Sequence, residues 1–448
     1  MEILGTQNNN KNLAETFMAA IATHPSARTP LTPARRSALR RASLLLLLCP
    51  LAAQADLIGD SHLNLGLRNF YIDRDFRGDD PARSRVGSWS QGFDLQLRSG
   101  YTEGPLQFGV DASAQYAYRL DGGGGRSPDT ILPYDSSRGE QVNDYGRAGL
   151  TAKLRYSKTE LTLGEHRPRL PVAYFDDSRQ LASTYHGVQI TSQEIDGLSL
   201  TAGRFREIAT RESANHEKLY LFTRPDGPRR PSDGLNFAGG TYAFSPALSA
   251  TYFYGQLEDI YQQHYLGLAH NTALGGGFNL KTDLRYYHHR EDGEALYGEI
   301  DNRSYGLLSA LRKGGHVFSL GYQRMLGDSN FPLLNGYTPQ PHLVNWSALA
   351  FYRANESSWQ VRYDYDFAAQ GIPGLTLMTR YIRGSGIDRG PGLSSTGESE
   401  RDIVLGYVVQ DGPFKGLGFN WMNIDAKFRH GNDFNENRLA TTYTWKFW

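Results

Sequence analysis

Residues 358–384, SWQVRYDYDFAAQGIPGLTLMTRYIRG, constrain the fold more than any other stretch of the chain. Trp359, Val361, Tyr363, Tyr365 and Phe367 alternate with Gln360, Arg362, Asp364 and Asp366. Successive side chains on a strand point to opposite faces, so one face is aromatic and aliphatic and the other is charged. After a turn at Gly371-Ile372-Pro373-Gly374, the row Leu375, Leu377, Thr379 and Tyr381 opposes Thr376, Met378 and Arg380. An apolar face bearing Trp and Tyr, backed by a fully charged face, fits a barrel with lipid outside and water inside. Soluble β-sandwiches also alternate, but they give no reason for connection lengths that differ from one rim to the other.

Such a difference runs along the chain. Short connections are expected at 103–105, 157–158, 194–197, 245–247, 271–276, 313–315, 368–374 and 411–416. Mostly longer, polar ones fall between them, at 73–88, 119–145, 166–185, 206–236, 258–260, 288–302, 326–357, 385–399 and 429–436. They imply an all-β, transmembrane antiparallel β-barrel of about eighteen strands, with short periplasmic turns and long extracellular loops. A lumen of that width admits water and solute. The apolar register repeats in Leu63/Leu65/Leu67, Phe93/Leu95/Leu97, Leu106/Phe108/Val110/Ala112 and Phe278/Leu280/Leu284. The last strand carries Leu439, Tyr443, Trp445 and Phe447, with Trp448 one residue past strict alternation. A terminal aromatic of this kind is the signal read by the barrel-assembly machinery. No run of about 20 apolar residues occurs, which excludes a helical membrane protein.

The N-terminal region reads differently. Arg35, Arg36, Arg40 and Arg41 precede Leu44 to Leu48 and then Ala53-Gln54-Ala55. A basic region, a short apolar run and an A-x-A site make a secretory signal, so residues 1–55 are expected to be removed after Ala55. Residues 1–34 are longer than an ordinary n-region, which suggests a start downstream of Met1. Removing six basic and two acidic residues from 47 of each leaves 41 and 45, a mildly acidic mature chain. That balance gives no electrostatic footprint for nucleic acid. Cys49, the single cysteine, leaves with the signal, so the single mature domain, 56–448, cannot depend on disulfides.

LGLRNFYIDRDFR (65–77), NDYGRAGLTAKLRYSKTELTLGEHRPRLPV (143–172), EIDGLSLTAGR (194–204), residues 358–384 and ERDIVLGYVVQDGPFKGLG (400–418) resemble the OprD porin family. These are substrate-selective outer-membrane channels of Pseudomonas and its relatives, and the resemblance spans essentially the whole mature chain. It implies an eighteen-stranded monomeric barrel in a Gram-negative outer membrane, in contact with lipid and lipopolysaccharide. It also implies passive uptake of small carboxylate-bearing solutes, without a cofactor. The path would run past a basic ladder and through an eyelet formed partly by an inward-folded third loop.

An anionic solute crossing a low-dielectric slab needs fixed positive charge along its path. Arginine serves best, because its fork pairs bidentately with carboxylate and it keeps its proton. Several weak sites conduct better than one tight one. Strand parity places Arg68, Arg147, Lys153, Arg155, Arg362 and Arg380 on inward faces, with Arg98 and Arg285. The family pattern favours Arg68, Arg155, Arg362 and Arg380. The competing reading is that these arginines pair with Asp94, Asp111, Asp364 or Asp366 and merely fill a polar lumen. Where the family carries an Arg-x-Arg step, this chain has Asn420 and Met422, which points to a less charged or more apolar solute. The stretch 165–185 offers Arg167, Arg169, Asp176, Asp177 and Arg179, stiffened by Pro168 and Pro171, and is read as the constriction loop.

Other chemistries find little support. Gly122 to Gly125 lacks the Lys-Ser/Thr of a phosphate loop. His288 and His289 with Glu291 and Asp292 lack repeated metal-ligand spacing. A barrel-borne outer-membrane hydrolase is the main alternative, but no local signature marks a serine nucleophile.

Overall fold

The computed structural model describes residues 54–78, 81–223, 227–335 and 342–448. Two units are distinguished, Met1–Gln54 and Ala55–Trp448. The export signal therefore lies outside the described residues, except that Gln54 and Ala55 begin a short helix, Gln54–Gly59.

Eighteen long strands form the second unit. They are β1 (His62–Arg77), β2 (Arg85–Arg98), β3 (Leu106–Asp121), β4 (Asp144–Tyr156), β5 (Thr159–His166), β6 (Thr184–Ser192), β7 (Leu198–Ala209), β8 (Leu235–Ser245), β9 (Leu248–Leu257), β10 (Tyr261–Gly275), β11 (Phe278–Glu291), β12 (Asp301–Lys313), β13 (His316–Leu326), β14 (Ser357–Asp366), β15 (Leu375–Ile387), β16 (Thr396–Val408), β17 (Gly418–Phe428) and β18 (Asp433–Lys446). Each pairs antiparallel with its neighbours in sequence, and β1 pairs with β18 from Asn64↔Lys446 to Arg77↔Asp433. The sheet is therefore closed, and every strand finds partners on both sides, as a lipid-immersed backbone requires. Short turns such as 157–158, 246–247 and 314–315 occupy one rim, and the long connections 122–143, 167–183, 210–234 and 327–356 occupy the other.

The outer face follows the expected alternation. Trp359 and Trp445 are 43% and 38% exposed, and Leu150, Leu163, Phe318, Leu320 and Leu439 also face outward. In a soluble protein these would form a core; here they form a surface whose solvent is hydrocarbon.

The interior core is built by loops. Val172, Ala173 and Phe175 pack with Tyr185, Phe205, Phe253, Tyr265 and Tyr287 of the inner wall. Ile131, Leu132 and Leu181 pack against Phe70, Ile72 and Tyr145. Strand parity puts charged rows such as Arg362 and Arg380 inside, yet part of the inner wall is aromatic. The reason is that the long loops fold in and cover it.

Candidate functional site

The connection 167–183 crosses the lumen. Near β1 and β2, Arg167 clasps Asp94 with both guanidinium nitrogens, at 2.6 and 2.8 Å. Arg68 Nη1 donates to the carbonyls of Asp177, at 2.8 Å, and Arg179, while Gln180 Nε2 returns a bond to the Arg68 carbonyl. On the far wall, Tyr287 Oη donates to the Pro171 carbonyl at 3.0 Å, and Val172 lies against Gly255 of β9. The paired segments Arg169–Leu170 and Ala173–Tyr174 make a small hairpin at the crossing.

Its five charged residues do not stand together before a solute. Asp176 is buried against Arg211 of the 210–234 connection, at 2.6 Å, and accepts from the Ser178 N–H. Burial works against its ionisation, but the charges of Arg211 and Arg179 hold it below the ordinary carboxyl range. Arg179 is buried as well; desolvation, and then the charges of Arg438 and Arg211, pull it down from the ordinary guanidinium value. Arg167 is tied to Asp94, which leaves Arg169 and Asp177 exposed. The physical reason is that a loop crossing a wet bore must be anchored, and its charges supply the anchors.

A second inward segment carries no signature in the sequence beyond its length. Arg285 Nη1 donates to the Leu343 carbonyl, Gln360 Nε2 to Val344, Arg380 Nη1 to Trp346 and Gln323 Nε2 to Phe351. Glu400 accepts from the N–H groups of Ala348, at 3.1 Å, and Leu349, at 2.7 Å. This lines β11 to β16 with loop and brings His342 beside Tyr174 of the first loop, with ring centroids 6.0 Å apart. Burial pulls the His342 imidazole down to about 4, so it is neutral there at physiological pH.

Where this loop returns to the wall, Glu356 is 1% exposed and its Oε1 has no partner among the described residues. Burial, and then the charge of Glu398, pushes the Glu356 carboxyl up to about 8. A carboxyl raised in the docked state favours docking while it is protonated. That contribution is complete below the ordinary carboxyl value and is lost as pH climbs through about 8. Open-channel noise from this loop is therefore expected to grow between pH 7 and pH 9. Glu356→Gln, which cannot ionise, should flatten the dependence in single-channel recordings.

The inner-wall cations divide into two kinds. Lys153 pairs with Asp111, Arg362 with Asp364 and Arg380 with Asp402, each at 2.6 Å. Arg68, Arg147 and Arg155 have no carboxylate within ion-pair distance among the described residues. Arg147 donates to Gln115 Oε1 and to the carbonyls of Thr210, Ser213 and Ala182, so it holds two loops at once. Arg155 lies over Tyr101, 3.8 Å from the ring centroid, and donates to Gln107. Arg362 and Arg380 are direct cross-strand partners. Below the crossing loop, a cavity of about 480 Å³ is lined by Arg98, Lys153 and Arg167 together with Asp111, Glu160 and Glu165.

Sequence reasoning missed a third cluster. Arg74 and Arg438 both bind the fully buried Glu436 on the inner wall, near Arg179. Strand parity on β1 and β18 could have found both arginines. The expected inward pair Asn420 and Met422 behaves in two ways. Asn420 is open, whereas Met422, like Leu349, packs against the buried cluster of Ile424, Ala426 and Phe434. His288 and His289 stand on opposite faces of β11, and His289 is packed against Tyr287 and Phe331.

Residues 55–447 match the family model described as outer membrane porin, OprD family. The chain is 40% identical over 398 residues to the porin-like protein GalP of Pseudomonas putida, covering 88% of this chain and 94% of that one. It superposes on Pseudomonas aeruginosa OccK9 (OpdG) with a TM-score of 0.83 and 39% identity, covering 87% of this chain and 100% of the other. Pseudomonas aeruginosa OpdK, solved with vanillate, gives 0.81 and 37% over the same shares.

Proposed function

From the premise that this chain belongs to the OprD family of outer membrane porins, we propose that it passes small carboxylate-bearing solutes, guided by inner-wall arginines. That it is an outer-membrane channel for small solutes, and not a barrel-borne hydrolase, follows from the family itself. The finer reading rests on one observation above the rest. Arg68, Arg147 and Arg155 face inward without a carboxylate in ion-pair contact among the described residues, although Glu160 lies across the ladder from Arg155 and Asp177 and Asp94 lie near Arg68, so part of their charge acts on whatever enters. The buried nitrogens Arg179 Nε and Arg438 Nη2, which lack partners among the described residues, support the same reading.

The crossing loop and the second inward segment together act as the constriction in this account. Met422 and Leu349 offer an apolar patch between Arg380 on β15 and Arg438 on β18. That patch suits a carboxylate with an apolar body, and the relative solved with vanillate carries such a molecule. Amino acids, aromatic acids and aliphatic acids form the test panel. In planar bilayers under a salt gradient, the zero-current potential is expected to show anion preference, and aromatic carboxylates should block or carry current at lower concentration than sugars of similar size. Cation preference with no carboxylate response would sink the proposal. The exported chain, on the same footing, begins at Asp56, which N-terminal sequencing checks.

A further inference from the structure

We propose that the outward face of β11 to β16 carries a docking surface for the phosphorylated head group and one acyl chain of an outer-leaflet glycolipid. The surface is separate from the lumen and does not depend on which solute passes. Towards the long-loop rim, Arg290, Arg303, Arg324, Arg383 and Arg401 share the parity of outward residues on five of these strands. Arg303 stands two residues from Tyr305, Arg324 two from Tyr322, and Arg383 two from Tyr381. Across the ladder, Arg324 opposes Tyr305, Arg383 opposes Trp359 and Arg401 opposes Tyr381. Tyr and Trp mark the boundary between hydrocarbon and head groups, so the guanidinium groups lie at head-group depth.

Little neutralises them. Arg303 reaches Asp301 at 3.8 Å with both side chains half exposed, and Asp425 lies across the ladder from Arg401. Arg324 donates to Ser357, Arg401 to Asn423 and Arg290 to His288. The neighbouring arc is different: outward positions on β17, β18 and β1 carry Asn423, Asp425, Asn435, Asn437, Asp73 and Asp75, and its two cations are each offset by an acid, Lys427 by Asp425 at 3.8 Å and Arg77 by Asp433 across the ladder. Positive charge is thus gathered on one side of the barrel.

A second observation stands directly beneath. An apolar recess of about 330 Å³ opens on the outer wall, lined by Leu266, Leu284, Leu307, Tyr286, Tyr305 and Tyr322. Its upper edge is the row His264, His288 and Arg303, which are consecutive cross-strand partners. A groove for a chain under a fork for a phosphate matches one amphiphile carrying both. Arginine pairs bidentately with phosphate oxygens, which a lone hydroxyl or a zwitterionic head group cannot reproduce.

The test uses lipid-stripped, full-length mature protein in detergent, titrated with bis-phosphorylated lipid A and read by native mass spectrometry. The wild type is expected to retain one or more lipid A molecules at low salt. The variant Arg303→Gln/Arg324→Gln/Arg383→Gln should retain it on the order of 100-fold less, since each arginine near an anionic surface contributes about fivefold. Arg85→Gln, on β2, should behave as wild type. Fully dephosphorylated lipid A should bind the wild-type protein as weakly as the triple variant binds the phosphorylated form, an arm that needs no variant to fold. Equal retention of lipid A by the triple variant, equal retention of the dephosphorylated lipid, or phosphatidylglycerol binding as tightly as lipid A would each overturn the assignment.

Discussion

Asp176→Ala is expected to loosen the crossing loop by about 3 kcal/mol, the low end for a broken buried pair, because the buried Arg211 guanidinium loses its 2.6 Å partner and is left with Glu212 at 3.4 Å. The substitution also removes the acceptor of the Ser178 N–H. The measurable result is a single-channel conductance that rises and flickers, as the 167–183 segment leaves its seat between Arg68 and Tyr287. Adding Asp176→Ala to Arg211→Ala should cost less than Arg211→Ala alone, since Asp176 is then no longer stranded, while Glu212 loses Arg211 in both. Removing Tyr174 to Asp177 outright should give the larger conductance without the flicker. Traces from Asp176→Ala that match the wild type would show that the ion pair does not hold the loop.

The second large effect concerns charge. Arg68→Gln combined with Arg155→Gln should shift the zero-current potential towards cations. Each unit charge at about 4 Å is worth about 1 kcal/mol even in bulk water, so two together change the permeability ratio by more than about tenfold. The corresponding lysine variants separate field from geometry. Arg155→Lys keeps the charge over Tyr101 and should keep the preference. Arg68→Lys keeps the charge but has a shorter, unbranched reach than the Nη1 that binds both the Asp177 and Arg179 carbonyls, so it should keep the preference while adding noise. An unchanged potential in the double glutamine variant would assign anion guidance elsewhere.

Much of the wall was legible because a strand has a period of two and lipid tolerates no exception to it. Leu320 and Trp359 outside, and Arg362 and Arg380 inside, follow from parity alone, and the strand count follows from counting connections. The loops were harder. A connection has no period, so nothing in 327–356 announces that Val344 and Phe351 turn inward. The signal lay on the opposing wall, in glycines that parity places inside. A Cβ on Gly92 would come within 2.7 Å of Gln180, one on Gly255 within 3.0 Å of Val172, and one on Gly306 within 2.5 Å of Val344. Inward glycines on strands facing a long connection mark where that connection sits, which is a rule about close approach and not about turns. The partners of Asp176 and Arg179 were out of reach for a different reason: they come from the 210–234 connection and from β18, far away in sequence.

The pairing of β1 with β18 carries a lesson about birth as well as shape. Asn64 and Lys446 leave the ribosome nearly a whole chain apart, yet each completes the other's ladder. A helical bundle can grow one segment at a time, each stable in the bilayer as it emerges. This wall has no stable half-built form in lipid, because any unfinished cylinder exposes two raw margins of amide and carbonyl. Secretion, waiting and sealing must therefore happen in that order, and the pore comes into being all at once when its final residues reach the first.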